Sequence, residues 1–343
     1  TIQGASDSTE DGFGAHIMVH GADTNMATGY AYIEGIEIHH GGQESILGRY
    51  PFHWHLVAGA GAGQYFKDSA IHDSFNRGVT IHGTDGTTVS NNFMYNTIGH
   101  TLFLEDGVEE NNTITYNVVC LSVAPEPGTE VTPSDNQMLA EHQNSCPAAF
   151  WITHPNNNVS HNVAAGGEGT GFWYIFPTKR IGPSKDLAYY DNATIANRSA
   201  PGTYVGNTSH SYFNGFDIFD ELGSDHSIKQ NIGWYENSDH VFDSHLFYAC
   251  QNLIYSGSGK QETENNSGNP TSNLIFRDCV FADGQWHLDF AASATLEESC
   301  FVADTGLGMI DVRERFLMRI YDGAPTINDS YFVGWDNLSL IHI

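Results

Sequence analysis

Residues 68–83 run DSAIHDSFNRGVTIHG and residues 91–106 run NNFMYNTIGHTLFLED. Set one above the other, they align without a gap at an offset of 23 residues. Ile71 falls on Met94, Val79 on Leu102 and Ile81 on Leu104, while Asp73 falls on Asn96 and Gly78 on Thr101. Self-similarity at a short fixed period marks a repeat architecture, in which each unit completes its apolar face only by stacking on the next. A third copy lies upstream if one loop is longer: Ile38-His39-His40, then Phe52-His53-Trp54-His55. Downstream the pattern recurs in Phe150-Trp151-Ile152-Thr153 and Val159-Ser160-His161-Asn162. It returns in residues 207–220 (NTSHSYFNGFDIFD), 273–283 (NLIFRDCVFAD) and 296–304 (LEESCFVAD). No long stretch carries apolar residues at i, i+3, i+4 and i+7. The chain instead has short β-branched and aromatic runs between Asn, Gly, Asp and Ser clusters, which predicts strands and turns. A repeat of this length with two or three short strands predicts an all-β chain, one coil of a single-stranded parallel β-helix per repeat, stacked at about 4.8 Å.

Three stretches interrupt the rhythm. Residues 121–146 and 177–203 are rich in Pro, Ser, Asn and Gly and are expected to leave the helix as loops that wall a groove, and 256–272 as a surface loop. Coils resume after each, so residues 1–343 are expected to form one domain. Thirteen Lys and Arg stand against 41 Asp and Glu, a net charge of −28. That excludes a nucleic-acid or anionic-membrane surface, both of which need basic patches. It suits a secreted protein in salty water, kept soluble by its charge. No run of 18 apolar residues exists to span a membrane. No signal peptide precedes Thr1, so the chain is expected to be a mature or trimmed fragment. The five cysteines include no C-x-x-C. Cys279 and Cys300 are expected to stack on adjacent coils, as a disulfide or as buried thiols, and Cys120 and Cys146 bracket a loop that a bridge would close.

Stacking converts repeat spacing into adjacency. In the alignment His55, His82 and Glu105 share one column, and because Trp54, Ile81 and Leu104 before them point inward, the column points out. Two imidazoles and a carboxylate one strand apart can converge on a single ion, a donor set known for zinc and non-haem iron. His53, two residues before His55, and His40, on the preceding coil, are further candidate ligands. The alternatives are an active site without metal and a ladder of stacked histidines. Asp106, next to Glu105, is the candidate general acid or base. Arg77 and His100 form a second column; Arg77 either grips a substrate carboxylate or pairs with an acid such as Asp73. Trp151 could stack on a sugar ring if it points outward, and His154 is a candidate substrate contact. There is no P-loop, no G-x-S-x-G and no dinucleotide fingerprint.

These motifs resemble a known family. GFGAHIMV (12–19), IEIHHGGQ (36–43), GRYPFHWHL (48–56), SAIHDSFNRGVTIHGTDG (69–86), TIGHTLFLEDGVEENNT (97–113), FWITHPNNNVSHNVAAG (150–166) and GFWYIF (171–176) are similar to the vertebrate cell-migration-inducing hyaluronidase and its transmembrane paralogue. Weaker matches extend the likeness, in one order, over about residues 12–290. Asp73 stands where the family shows a His, and Val57–Gly63 is shorter than its counterpart. The resemblance implies a right-handed β-helix that cleaves hyaluronan outside the cell; the chain is expected to act as an endo-acting glycoside hydrolase and to be a monomer. His40, His55, Arg77, His82, His100, Glu105 and Asp106 all fall in matching motifs. The expected cofactor is a divalent metal, zinc or another transition metal, and the expected partner an anionic glycosaminoglycan. Arg49 and Arg77, with Lys67, would offset charge repulsion. A polysaccharide lyase or uronate epimerase is the alternative enzyme, with His100 or Tyr95 taking the C5 proton. A non-catalytic carbohydrate-binding or adhesion module is the alternative from another class.

Overall fold

The computed structural model describes residues 1–21, 29–137, 145–218, 220–229, 234–236, 238–256, 273–290, 294–304, 316–320, 325–335 and 340–342. Strands recur in threes along the chain and sort into three sheets. Successive coils add one strand to each sheet in turn: Ala70–Ser74, Val79–Thr84 and Thr88–Ser90, then Phe93–Ile98, Leu102–Leu104 and Thr113–Thr115. Among the described residues two sheets have 11 strands and the third has 10. Neighbours within them pair in parallel, which makes the molecule a parallel β-helix.

The register expected from the repeat is the register observed. Ile71 pairs with Met94, Val79 with Leu102 and Ile81 with Leu104. All six side chains are buried. Alternate residues of each strand fill the interior: Phe52, Val79, Leu102, Phe150, Phe172, Phe216 and Ile254 follow one another down the second sheet. Each contributes about 1.5–3 kcal/mol by burial. The coils turn between third and first sheets at residues held in the left-handed region, among them Asp68, Asn91, Tyr116, His161, Ser244, Asp278 and Glu298. Short polar side chains tolerate that conformation best, which explains the Asn and Asp enrichment there.

The residue after each such turn points inward and must satisfy its own amide. Asn92, Asn117, Asn162 and Asn207 do so as a ladder, each backbone N–H donating to the next side-chain oxygen at 2.9–3.2 Å. His245, Cys279, Ser299 and Ser330 continue the same position. Cys279 therefore matches Ser299, and Cys300 pairs with Val280. The expected Cys279–Cys300 stack was misplaced by one residue, and one residue in a strand reverses the face. All five cysteines are free thiols, Cys120 and Cys146 included. A second corner ladder runs through Asn112 and Asn157.

Three segments leave the helix on the outer side of the second sheet. The strand Val118–Val123 uses the start of the first expected loop, and residues 124–137 then cross the sheet as a strap; residues 138–144 of that loop lie outside the described residues. Residues 177–203 form a second strap with short turns at Pro183–Asp186, Ala188–Tyr190 and Ala196–Arg198. The third is a hairpin that repeat spacing did not single out, Glu221–Leu222 paired antiparallel with Ile228–Lys229. Of the expected loop at 256–272, residues 257–272 lie outside the described residues.

Candidate active site

The straps turn an outward face into an enclosed one. Phe103, Trp151 and Trp173 lie on the outside of the second sheet, yet they are fully buried against Ile181, Leu222 and Ile228 from the straps and hairpin. Trp151 therefore offers no open platform to a sugar; its ring lies 3.9 Å from that of His100 and 5.3 Å from Trp173.

Beside this patch stands the histidine and carboxylate column. Register places His20, His55 and His82 on consecutive strands, and Glu105 follows with its N–H on the carbonyl of Ile81. His55 and His82 approach through their Nδ1 atoms at 3.1 Å, and Glu105 Oε2 lies 3.4 Å from His82 Nδ1. His53 lies on the same face, its ring parallel to His82 with centroids 5.7 Å apart. The column points away from the core as expected, but His82 and Glu105 are covered by the roof and buried.

Each side chain is fixed from behind. His53 Nδ1 donates to the carbonyl of Gly48 at 3.0 Å, and His82 Nε2 donates to Asp106 Oδ2 at 2.8 Å. Asp106 also accepts from Ser184 N–H at 3.0 Å and, through Oδ1, from His226 Nε2 at 3.0 Å. The turn that carries Asp106 is held by Glu109, whose carboxylate accepts the N–H groups of Gly83, Asp106, Gly107 and Val108 at 2.8–3.1 Å. The second strap passes so close that a Cβ on Gly182 would lie 1.9 Å from Asp106 Oδ1, and Gly182 has φ +55°, so only glycine fits there.

Charge in the cluster is sharply divided. Burial alone would strip the proton from His82, but Glu105 and Asp106 override it and hold its pKa at about 10. Burial, with the charges of His82 and His20, pushes His55 down to about 4. His55 is thus the acceptor and His82 the donor in their contact, a tautomer inferred from these partners. Burial tends to raise Asp106, yet the two histidines on it hold its carboxyl well below the usual range.

The donor set suits a cation. His53 Nε2 and Glu105 Oε2 are buried without hydrogen-bond partners. His53, His55 and His82 bring their nitrogens within 4.8 Å of one another, and a nitrogen of His82 and carboxylate oxygens of Glu105 and Asp106 come together within the same span. Imidazoles whose far nitrogen rests on a carbonyl or carboxylate are the usual arrangement around a metal. His53, His55, His82 and Glu105 could therefore hold a metal ion, with Asp106 behind them, its oxygens taken by His82, Ser184 and His226.

The other expected site residues lie elsewhere. His40 is no member of the cluster: it follows the strand Glu37–His39 of the first sheet, with its Nδ1 2.8 Å from that of His39, and His20 takes the column place on the preceding coil. Tyr95 is exposed on the outer face of the first sheet, parallel to Phe93. Arg49 is half-buried beside His16, 3.3 Å away. His154 is buried between Ser199 and the N–H of Asn156, and burial pushes it down to about 3.

Arg77 and His100 are fully buried beneath the first strap and cannot touch a bound substrate. Arg77 pairs with Asp135, not Asp73, through two hydrogen bonds of 2.8 and 3.1 Å, and lies 3.6 Å above the ring of Phe103. His100 accepts from Ala148 N–H and donates to Ser134 Oγ; burial pushes it down to about 3, so it is neutral. Both serve as anchors for the first strap.

Asp85 anchors the second strap, accepting from Tyr190 Oη and Glu110 N–H, each at 3.0 Å. Burial lifts its carboxyl from 3.8 to about 7. Between those values the folded chain keeps a proton that the unfolded chain releases, so this group makes stability fall as pH rises from about 4 to about 7. Asp85→Asn is expected to flatten that part of the stability profile, measured by urea melts at several pH values; an unchanged slope would contradict the assignment.

Sequence reasoning missed His20, Glu109, Asp135, Ser184 and His226. His20 was one coil from His55 and within reach of the alignment. Glu109, three residues past Asp106 after a glycine turn, carried a weak signal. Nothing in the repeat pointed to the strap and hairpin residues, because these segments have no repeat.

Fold and site together define the class: a parallel β-helix whose second sheet carries a roofed column of histidines and carboxylates. The sequence profile described as the CEMIP beta-helix matches residues 12–216, and the chain belongs to that family. It is 41% identical over 216 residues to Fibrocystin-L of Mus musculus, covering 62% of this chain and 5% of that protein. It is 34% identical over 224 residues to the cell surface hyaluronidase CEMIP2 of Homo sapiens, covering 59% of this chain and 15% of that one. It is 34% identical over 237 residues to the human cell migration-inducing and hyaluronan-binding protein, covering 61% and 16%. The chain thus spans only a small part of each relative's length. Among solved structures, the mannuronan C-5 epimerase AlgE4 A-module of Azotobacter vinelandii aligns over 96% of this chain and 86% of that one, at 11% identity and a TM-score of 0.30. Among the described residues no helix is long and apolar enough to cross a membrane.

Proposed function

We propose that this chain is the catalytic β-helix of an extracellular polysaccharide depolymerase, acting as a monomeric, endo-acting hydrolase on hyaluronan or a related glycosaminoglycan. The observation that carries the reading is the cluster itself: His53, His55 and His82 bring their nitrogens together, Glu105 stands 3.4 Å from His82, and His53 Nε2 and Glu105 Oε2 are buried without hydrogen-bond partners. Two relatives named for hyaluronidase activity or hyaluronan binding support the substrate class.

In this reading His53, His55, His82 and Glu105 hold a divalent metal, with nitrogen ligands favouring zinc or another transition metal over calcium. Bound there, the metal supplies Lewis-acid polarisation of a substrate or water oxygen. The protein's own residues do the rest. Asp106 fixes the His82 ring through Nε2 and leaves Nδ1 facing the column. Glu109 fixes the turn that aims Asp106. Trp151, Trp173 and the straps keep water from the side of the site that faces Arg77. Substrate approaches from the side of exposed His20 and half-exposed His55.

Elimination by the expected bases has no support in the placement of His100, buried and neutral, or of Tyr95, on another sheet. Sizing hyaluronan after incubation with the protein, with an ultraviolet scan of the products, tests the proposal. Shortened chains without unsaturated-uronate absorbance are expected. Shortened chains with that absorbance would favour a lyase, and bound but intact chains an adhesion module.

The charge of −28 adds an expected salt response. Repulsion between an acidic protein and an anionic polymer is screened within about 10 Å at 0.1 M salt. Cleavage is therefore expected to rise from low to moderate ionic strength. A rate that only falls from the lowest salt upward would mean that a local basic groove governs encounter.

A further inference from the structure

Asp106 is saturated and has no exposed surface, so it cannot reach a substrate itself. His226 can. It sits in the turn of the hairpin outside the helix, donates Nε2–H to Asp106 Oδ1 at 3.0 Å, and keeps 16% of its side chain exposed, against 0% for Asp106 and 3% for His82. The hydrogen bond and ion pair that His226 makes among the described residues both run through Nε2, and Nδ1 makes none there.

The backbone at His226 is strained, with φ +58° at a residue other than glycine. Such strain persists where the surroundings over-determine it. Here the first strap does so. Ser134 N–H donates to the carbonyl of His226 at 3.2 Å, and Gln137 clasps both backbone groups of Ile228 at 2.9 and 2.7 Å. That strap is in turn pinned by Asp135 to Arg77. Two excursions more than eighty residues apart in the chain are thus locked together to hold one imidazole at the edge of the column.

We propose that His226 is the catalytic acid–base residue of this site, oriented by Asp106 through Nε2 and acting on substrate through Nδ1; the proposal rests on the polysaccharide-hydrolase reading above. An aspartate on one imidazole nitrogen, with the other nitrogen open, is the arrangement by which an aspartate sets the tautomer and orientation of a catalytic histidine. In the reaction, the proton on Nδ1 passes to the glycosidic oxygen as its bond to the anomeric carbon breaks. The hydroxyl of a water bonds to that carbon, and the water's remaining proton returns to Nδ1. One water is consumed and nothing is oxidised or reduced. The charged groups around His226 are Asp106, Glu105 and His82 from the helix, with Asp225 and Lys229 on its own hairpin.

The test is hyaluronan cleavage by the whole chain carrying His226→Ala or His226→Gln, with bound metal and melting followed in parallel. Gln keeps a side-chain N–H for Asp106 and so protects the fold. Expected in both is a loss of kcat of about 10²–10⁴-fold, the usual share of general acid–base catalysis, with KM little changed and metal retained. Added imidazole is expected to restore part of the rate of His226→Ala and none of that of His226→Gln. Near-normal kcat in either variant, or loss of metal with no imidazole rescue, would overturn the proposal while leaving the hydrolase reading intact. A wild-type chain that cleaves no glycosaminoglycan would overturn both.

Discussion

His82→Ala is expected to lose its bound metal and its activity together. His82 is the middle of the column: Nδ1 faces His55 and Glu105, and Nε2 is tied to Asp106. Loss of an outer-shell partner alone typically costs 10–100-fold in metal affinity or activity, and loss of a ligand is expected to exceed about 100-fold. An outward strand residue would ordinarily cost little stability. The roof changes that, because Glu105 and Asp106 are left buried with one cation fewer between them, a penalty of about 3–5 kcal/mol. His55→Ala, at a half-exposed position, separates the effects: it should lose metal with less destabilisation. Metal content, a urea melt and cleavage rate on each variant check the prediction, and full activity in folded His82→Ala would contradict it.

Arg77→Ala is expected to be as damaging by a different route. The guanidinium is wholly buried, forked onto Asp135 and hydrogen-bonded to Thr132. Removing it leaves Asp135 uncompensated under the strap, again about 3–5 kcal/mol. Arg77→Lys should recover only part, since lysine cannot make the fork. The double variant Arg77→Met, Asp135→Asn should recover much of the loss, because it removes both charges at once. Urea melts of the three variants measure this, and a loss below about 1 kcal/mol in Arg77→Ala would mean that the strap does not depend on the pair.

The helix was legible in the sequence because stacking repeats itself. The gapless match of 68–83 on 91–106 gave both the pairing of Ile81 with Leu104 and the place of His82 beside Glu105, and the upstream copy added His55 to that column. The same logic misplaced Cys279 by one residue, where the repeat shortens and side-chain spacing of two makes a slip reverse the face. It also offered His40, on the preceding coil, as a further ligand, since chain order before His55 does not reveal which sheet a strand joins. What the repeat could not carry was the roof. Arg77 was noticed for its rarity, but its partner Asp135 lies 58 residues away in a strap without periodicity. His226 lies 120 residues from Asp106, in a hairpin whose docking no local pattern encodes. Exposure was likewise misjudged: alternation says that Trp151 faces away from the core, not that Ile181, Leu222 and Ile228 cover it.

The most direct test of the central claim is the metal content of the purified protein, measured by elemental analysis before and after treatment with a chelator, with hyaluronan cleavage followed in the same samples. The account predicts about one equivalent of zinc or another transition metal per chain, lost with activity on chelation and restored with it on adding metal back. Protein that carries no metal and cleaves hyaluronan at full rate would contradict it.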